Sequence, residues 1–243
     1  MEQELIKPII RVGNSAGVLL PISWMNGKAK IKLVETPINI EKDILEILSS
    51  YLTEIKGIYL TGSYARNEQN SDSDVDILVI TEKTNKRIEK GKYSIILINE
   101  SSLKEQLQDN ILPLLPMIKE CKPIINSKLI EQYKNTQLTN KNLKFHIETT
   151  KSAMKVNKEA IKLDKELNSN KVHNSSAYAL VLRLRGTYIV DCLINNKIPT
   201  TKGLLNLIKK ITGSLESYYG YKRVKSNKKG KETLNIKEAE TLH

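Results

Sequence analysis

The sequence predicts an α+β protein in three parts: a small N-terminal β module, a mixed-sheet α/β core and a C-terminal helical bundle. Three observations predict it. Short β-prone runs separated by turn residues fill the first 36 positions; strand-like runs alternate with helical spacing from 41 to 133; and beyond 138 apolar residues recur at the helical period. The expected domains are therefore 1–36, 41–133 and 138–243.

The chain has 243 residues and is 40% hydrophobic, enough for packed cores. Its 39 Lys and Arg against 27 Asp and Glu give a net charge of +12, so the surface should attract polyanions such as nucleotides or nucleic acid. An abundance of solvated lysine would give the same composition. Two cysteines, Cys121 and Cys192, and three scattered histidines argue against a zinc site or a disulfide scaffold. No apolar run approaches the roughly 20 residues of a membrane span. Acidic Glu2 and Glu4 are unlike a signal peptide, so a cytoplasmic protein with no membrane partner is expected.

In residues 6–35, Gly13-Asn14-Ser15 supplies turn chemistry between two apolar runs, and Lys28 to Val34 alternates basic with apolar residues. Gly13-Asn14-Ser15 followed by Val18 to Pro21 resembles the swapped-hairpin AbrB/MazE-type modules. That resemblance implies a homodimer that binds DNA, with Arg11, Lys28, Lys30 and Lys32 as phosphate contacts. About 30 residues cannot bury a core alone, so the unit must pair with a second copy or pack as an appendage on its neighbour.

Residues 36–40 read as a linker, and Glu41 to Thr53 spaces Ile44, Leu45, Ile47, Leu48 and Leu52 as a helix. The run Ile58 to Thr61 then ends in Gly62-Ser63, which suits a strand-to-helix turn whose backbone N–H groups stay free to meet an anion. After a polar loop, Val75 to Ile80 returns as a strand. Asp74 and Asp76 share one of its faces, while Val75, Ile77 and Val79 share the other. Two adjacent carboxylates beside an anion turn suit Mg²⁺ carrying a substrate's phosphates.

Gly62-Ser63-Tyr64-Ala65-Arg66 with Ser73-Asp74-Val75-Asp76-Ile77-Leu78-Val79 resembles the signature of the DNA polymerase β-like nucleotidyltransferases, most closely their small MNT-like prokaryotic members. Asn67 departs from it, since the family more often has Gly there. Asp72-Ser73-Asp74 offers a competing register, but only Asp76 is followed by the required aliphatic run, which leaves Asp72 in a loop. The resemblance implies Mg²⁺-dependent transfer of a nucleoside monophosphate from a nucleoside triphosphate, ATP foremost, to a hydroxyl acceptor (protein, RNA or small molecule), releasing pyrophosphate. It implies Asp74 and Asp76 as catalytic metal ligands and Gly62, Ser63 and Arg66 as nucleotide contacts. Arg66 could equally pair with the acidic loop.

Tyr93 to Ile98 reads as a third strand, where the family commonly carries a third carboxylate that acts as general base. It contains no acid, so Glu100 or Glu89, at or beyond its ends, would have to serve. The alternative is an antitoxin-like, DNA-binding regulator of toxin–antitoxin type, in which a weakened nucleotidyltransferase fold holds a metal nucleotide without efficient transfer.

A helix is expected from Ser101 towards Asp109. Pro113, Pro116 and Pro123 are expected to break any helix between 111 and 126, with a short strand at Pro123-Ile124-Ile125. The remainder reads as helices over 140–168, 177–194 and 202–211. Arg183 and Arg185 lie in an apolar helix, so one should face the cleft's phosphates or an acid such as Asp191. Tyr218 and Tyr221 read as packing, and 226–231 as a flexible run. The ribonuclease pattern RxxxxH of HEPN domains is absent.

Overall fold

The computed structural model describes residues 4–34, 38–71, 73–167, 170–227 and 230–243. Glu2, Asp72, the Thr36-Pro37 part of the expected linker, Asn168 at the expected helix end and the centre of the 226–231 run lie outside them. The chain divides into two compact units, 1–39 and 40–243. The expected core and helical bundle thus fall in one unit.

In the first unit β1 (Ile10–Val12) and β2 (Ser15–Gly17) form an antiparallel hairpin with Val12 opposite Ser15. Gly13, at φ +59°, makes its tight turn. A single 3₁₀ turn follows at Ile22–Trp24. The alternating stretch 28–34 forms no strand, contrary to expectation, and its residues are exposed. Alternation specifies a strand only where one face is covered, and within this unit nothing covers one.

The second unit opens with α1 (Ile40–Ile47), shorter than expected because a 3₁₀ turn at Ser49–Glu54 follows it. The chain then runs through β3 (Ile55–Thr61), α2 (Gly62–Ala65), β4 (Val75–Thr81), β5 (Lys86–Lys90), β6 (Tyr93–Asn99) and α3 (Glu100–Asp109). It continues with α4 (Leu114–Glu120), β7 (Lys122–Ile125) and α5 (Ser127–Lys134). The mixed sheet has the order β5-β6-β4-β3-β7, with β4 and β6 parallel and the other neighbours antiparallel.

Alternation along the strands gives the sheet two apolar faces. Ile58, Val75, Ile77, Val79, Ile95 and Leu97 pack against Ile44 and Leu48. On the other face Tyr59, Leu78, Ile80 and Ile98 meet Leu103, Leu107, Leu114, Leu115 and Ile130 of α3, α4 and α5. Two elements depart from expectation. The charged stretch 82–92, whose composition predicts a turn, contains β5, an edge strand whose exposed polar side chains hid it. And α4 forms despite its prolines: Pro113 caps it and Pro116 lies in its first turn, where the N–H groups would go unpaired anyway. Helix α3 is capped by Asn99, whose side chain accepts from the Ser102 N–H at 2.8 Å, rather than by Ser101.

The C-terminal helices are α6 (Asn140–Glu166), α7 (Asn174–Ile194), α8 (Thr201–Thr212), α9 (Glu216–Lys225) and α10 (Ile236–Leu242), the last two unforeseen. Thr139 and Asn142 form a capping box at the start of α6, and Thr200 caps α8. Leu193 of α7 joins the core formed with α3 to α5, and α6 packs against α3. Among the described residues no helix is long and apolar enough to cross a membrane.

Candidate active site

Strand β3 ends at Thr61, and the chain turns sharply into α2 through Gly62 at φ +68°. A Cβ at Gly62 would stand 2.2 Å from Asp76 Oδ2, so only glycine lets the turn lie against that carboxylate. The register explains the juxtaposition. Thr61 is opposite Asp76, Asp76 is opposite Ser94, and Ser94 is opposite Glu89, a row across four strands on one face of the sheet. Asp74 immediately precedes β4, close enough for its charge to act on Asp76. Asn67, where the family pattern favours glycine, has φ +57°, a conformation asparagine tolerates.

The Asp76 carboxyl is pushed up to about 6, first by burial and then by the negative charges of Asp74 and Glu120; Lys225 and Arg185 oppose the shift. Without a cation this largely desolvated carboxylate is therefore poorly compensated, and its hard oxygen donors suit a hard divalent cation such as Mg²⁺. Among the described residues no group of three or more His, Cys, Asp or Glu forms a metal cage. Two carboxylates suit an ion that completes its shell with substrate phosphates and water.

Glu120, which no local sequence signal marks, is central here. The Gly62 N–H donates to its Oε1 at 2.7 Å, and Arg66 Nη1 donates to its Oε2 at 2.6 Å. The Gly62 amide is thus not free, contrary to expectation. Arg66 Nε donates to Glu68 Oε2 at 2.8 Å, and the same oxygen accepts from the Thr201 N–H at 3.0 Å. Burial works against the Arg66 charge, but the two carboxylates more than offset it and hold its pKa above the ordinary value. Arg66 is therefore an ion-pair hub, and a phosphate contact from it would have to compete with both acids. Ser63, in the first turn of α2, is half-buried.

Glu100 does not join this cluster. It starts α3 beyond the far end of β6, five to six residues along the strand from the Asp76 level, roughly 17–20 Å away. There Lys104, Lys56 and the Tyr133 hydroxyl hold its pKa down to about 2. It is a structural carboxylate. Glu89 lies on the Asp76 face, one strand beyond Ser94; it accepts from Ser94 Oγ at 3.0 Å and from Arg87 Nε at 2.6 Å.

From the helical region, Arg185 donates to the Tyr221 hydroxyl at 3.2 Å, and its charge acts on Asp76. Tyr221 is buried and stacks on Tyr178 and Tyr218 at 5.2 and 5.9 Å between centroids, so both tyrosines pack as expected. Arg11, Lys28, Lys30 and Lys32 belong to the first unit, and all are exposed; Arg11 Nε donates to the Gly13 carbonyl at 3.0 Å.

The site is thus a left-handed glycine turn lying against a half-buried aspartate at the end of a mixed sheet. The family model described as "Nucleotidyltransferase domain" matches residues 41–168, just over half of the chain. The chain belongs to the nucleotidyltransferase domain family. A nucleotidyltransferase-like protein from Exiguobacterium sibiricum is similar at 16% identity and TM-score 0.37, covering 84% of this chain and 72% of that one. Spectinomycin adenyltransferase AAD(9) from Enterococcus faecialis, solved with ATP and spectinomycin, is similar at 15% identity and TM-score 0.41, covering 83% and 94%. No curated protein matches the chain significantly.

Proposed function

We propose that the chain is a Mg²⁺-dependent nucleotidyltransferase that moves a nucleoside monophosphate from ATP to a hydroxyl acceptor. The observation that carries this reading is the left-handed Gly62 turn lying directly against the Asp76 carboxylate. Asp74 and Asp76 would hold the cation, which when bound neutralises triphosphate charge and polarises the α-phosphate. The turn at Gly62-Ser63 orients the phosphates. Lys225 and Arg185 bring positive charge to the same carboxylate from α9 and α7, where negative charge gathers during transfer. Glu89, aligned with Ser94 and Asp76, is the acid best disposed to take the acceptor's proton through water. With α-labelled ATP, Mg²⁺ and a panel of protein, RNA and small-molecule hydroxyls, label should become covalently attached to one class. Absence of both transfer and calorimetric ATP uptake would reject the reading.

The first unit supports a second, compatible role. None of its described residues is buried, and Ile6, Val12, Leu19, Ile22, Met25 and Ile31 are exposed beside Arg11, Lys28, Lys30 and Lys32. A second copy would cover those side chains and double the basic surface, as the AbrB/MazE resemblance implies. Light scattering should find a dimer for the full chain and a monomer for residues 40–243, with a salt-dependent DNA mobility shift for the former alone. A monomeric full chain that does not retard DNA would remove the DNA-binding, regulator-type reading.

A further inference from the structure

The excess positive charge of this protein is confined to one region. Residues 138–243 hold 21 Lys and Arg against 9 Asp and Glu, a net +12, whereas residues 1–137 balance at 18 and 18. Part of that excess faces the site, because Lys225 and Arg185 bear on Asp76. Another part lines a cavity of about 520 Å³ that opens beside the site rather than over the aspartates. Its lining includes Lys202, Asn206 and Lys209 on successive turns of α8, together with Leu205, Leu215 and Glu68.

Three contacts join this cavity to the reaction centre: Glu68 to Arg66, Arg66 to Glu120 and Glu120 to the Gly62 amide, each between 2.6 and 2.8 Å. Glu68 is the cavity's one acid among the residues lining it. Its charge is committed to Arg66 and the Thr201 N–H, which hold its pKa below the usual range. An amine-bearing acceptor would therefore find no uncompensated carboxylate there and would meet two exposed ammonium groups. A phosphodiester would find both charges, and the Asn206 amide is a further donor.

We infer that the acceptor is the terminal hydroxyl of a nucleic-acid strand, whose phosphates lie along Lys202, Asn206 and Lys209 while its end reaches the Asp76 site. This rests on the transferase reading above and names its acceptor. In the transfer, the strand's terminal oxygen bonds to the α-phosphorus of ATP and the bond from that phosphorus to the α,β-bridging oxygen breaks. Pyrophosphate leaves with the electron pair, and the hydroxyl proton passes to water.

The test uses the full chain with α-labelled ATP and Mg²⁺. The arms are an RNA oligonucleotide with a free 3′-hydroxyl, the same strand with a 3′-phosphate, a DNA oligonucleotide, bulk protein and spectinomycin as a cationic small molecule. Label should appear on a free-ended strand and not on the blocked one; the RNA and DNA arms show which sugar is taken. Lys202→Glu with Lys209→Glu, and Lys209→Glu alone, should lower kcat/KM for the strand by about tenfold and about threefold and flatten its salt dependence. Lys237→Glu on α10, away from the cavity, should change it by less than twofold. Calorimetric ATP uptake with label going to protein or spectinomycin would overturn this inference alone. No ATP uptake would overturn the transferase reading as well.

Discussion

Replacing Asp76 by alanine should lower nucleotidyl transfer by about a thousandfold or more, because the substitution removes the oxygen donor against which the Gly62 turn is built. The fold should not suffer. In the folded chain the Asp76 carboxyl is raised from 3.8 to about 6, mainly by burial, so the protein favours its neutral form. The stability linked to that preference is fully present below about pH 4 and is lost as the pH rises through about 6. Metal-free wild type should therefore lose Tm between pH 4 and pH 7 relative to Asp76→Asn. Added Mg²⁺ should restore the difference in wild type and not in the variant. Thermal melts across that range, with and without Mg²⁺, read both effects. An alanine variant that transferred at the wild-type rate would remove Asp76 from the chemistry.

Gly62→Ala should be nearly as damaging and, unlike the first substitution, should also destabilise. At φ +68° a side chain costs roughly 1–2 kcal/mol of backbone strain. The new methyl would also stand 2.2 Å from Asp76 Oδ2 and 3.0 Å from its carboxyl carbon, so the carboxylate or the turn must move. The expected result is a lower Tm and a loss of transfer of about a hundredfold or more, since misplacement on the ångström scale is enough to spoil alignment. Gly91→Ala is a control for strain alone: φ is +59° there, and nothing lies within 4 Å of the added methyl. Equal losses of transfer in the two variants would show that closeness to Asp76 is irrelevant.

What could be read from the sequence was whatever is written locally. The period-two pattern placed Val75, Ile77 and Val79 on one face of β4, as the core they share shows, and Asp76 on the other with Leu78 and Ile80. The glycine turn, the third strand and the long basic helix were legible for the same reason. What failed depended on distant partners. Glu120 is 58 residues from Gly62, and only the pairing of β7 with β3 brings it near. Proximity in sequence favoured Glu100 as a base, but β6 is seven residues long and carries it to the opposite end of the sheet. β5 was missed because an exposed edge strand alternates nothing apolar, and α4 because prolines in a first helical turn break no hydrogen bond.

The hydrogen bond from the Gly62 amide to Glu120 changes what loading this pocket involves. An incoming polyphosphate oxygen finds that donor already taken by a resident acid, whose other oxygen is clasped by a guanidinium. On the proposed reading, occupancy is a swap between two anions, and a visitor too weakly charged to evict the resident leaves the corner shut.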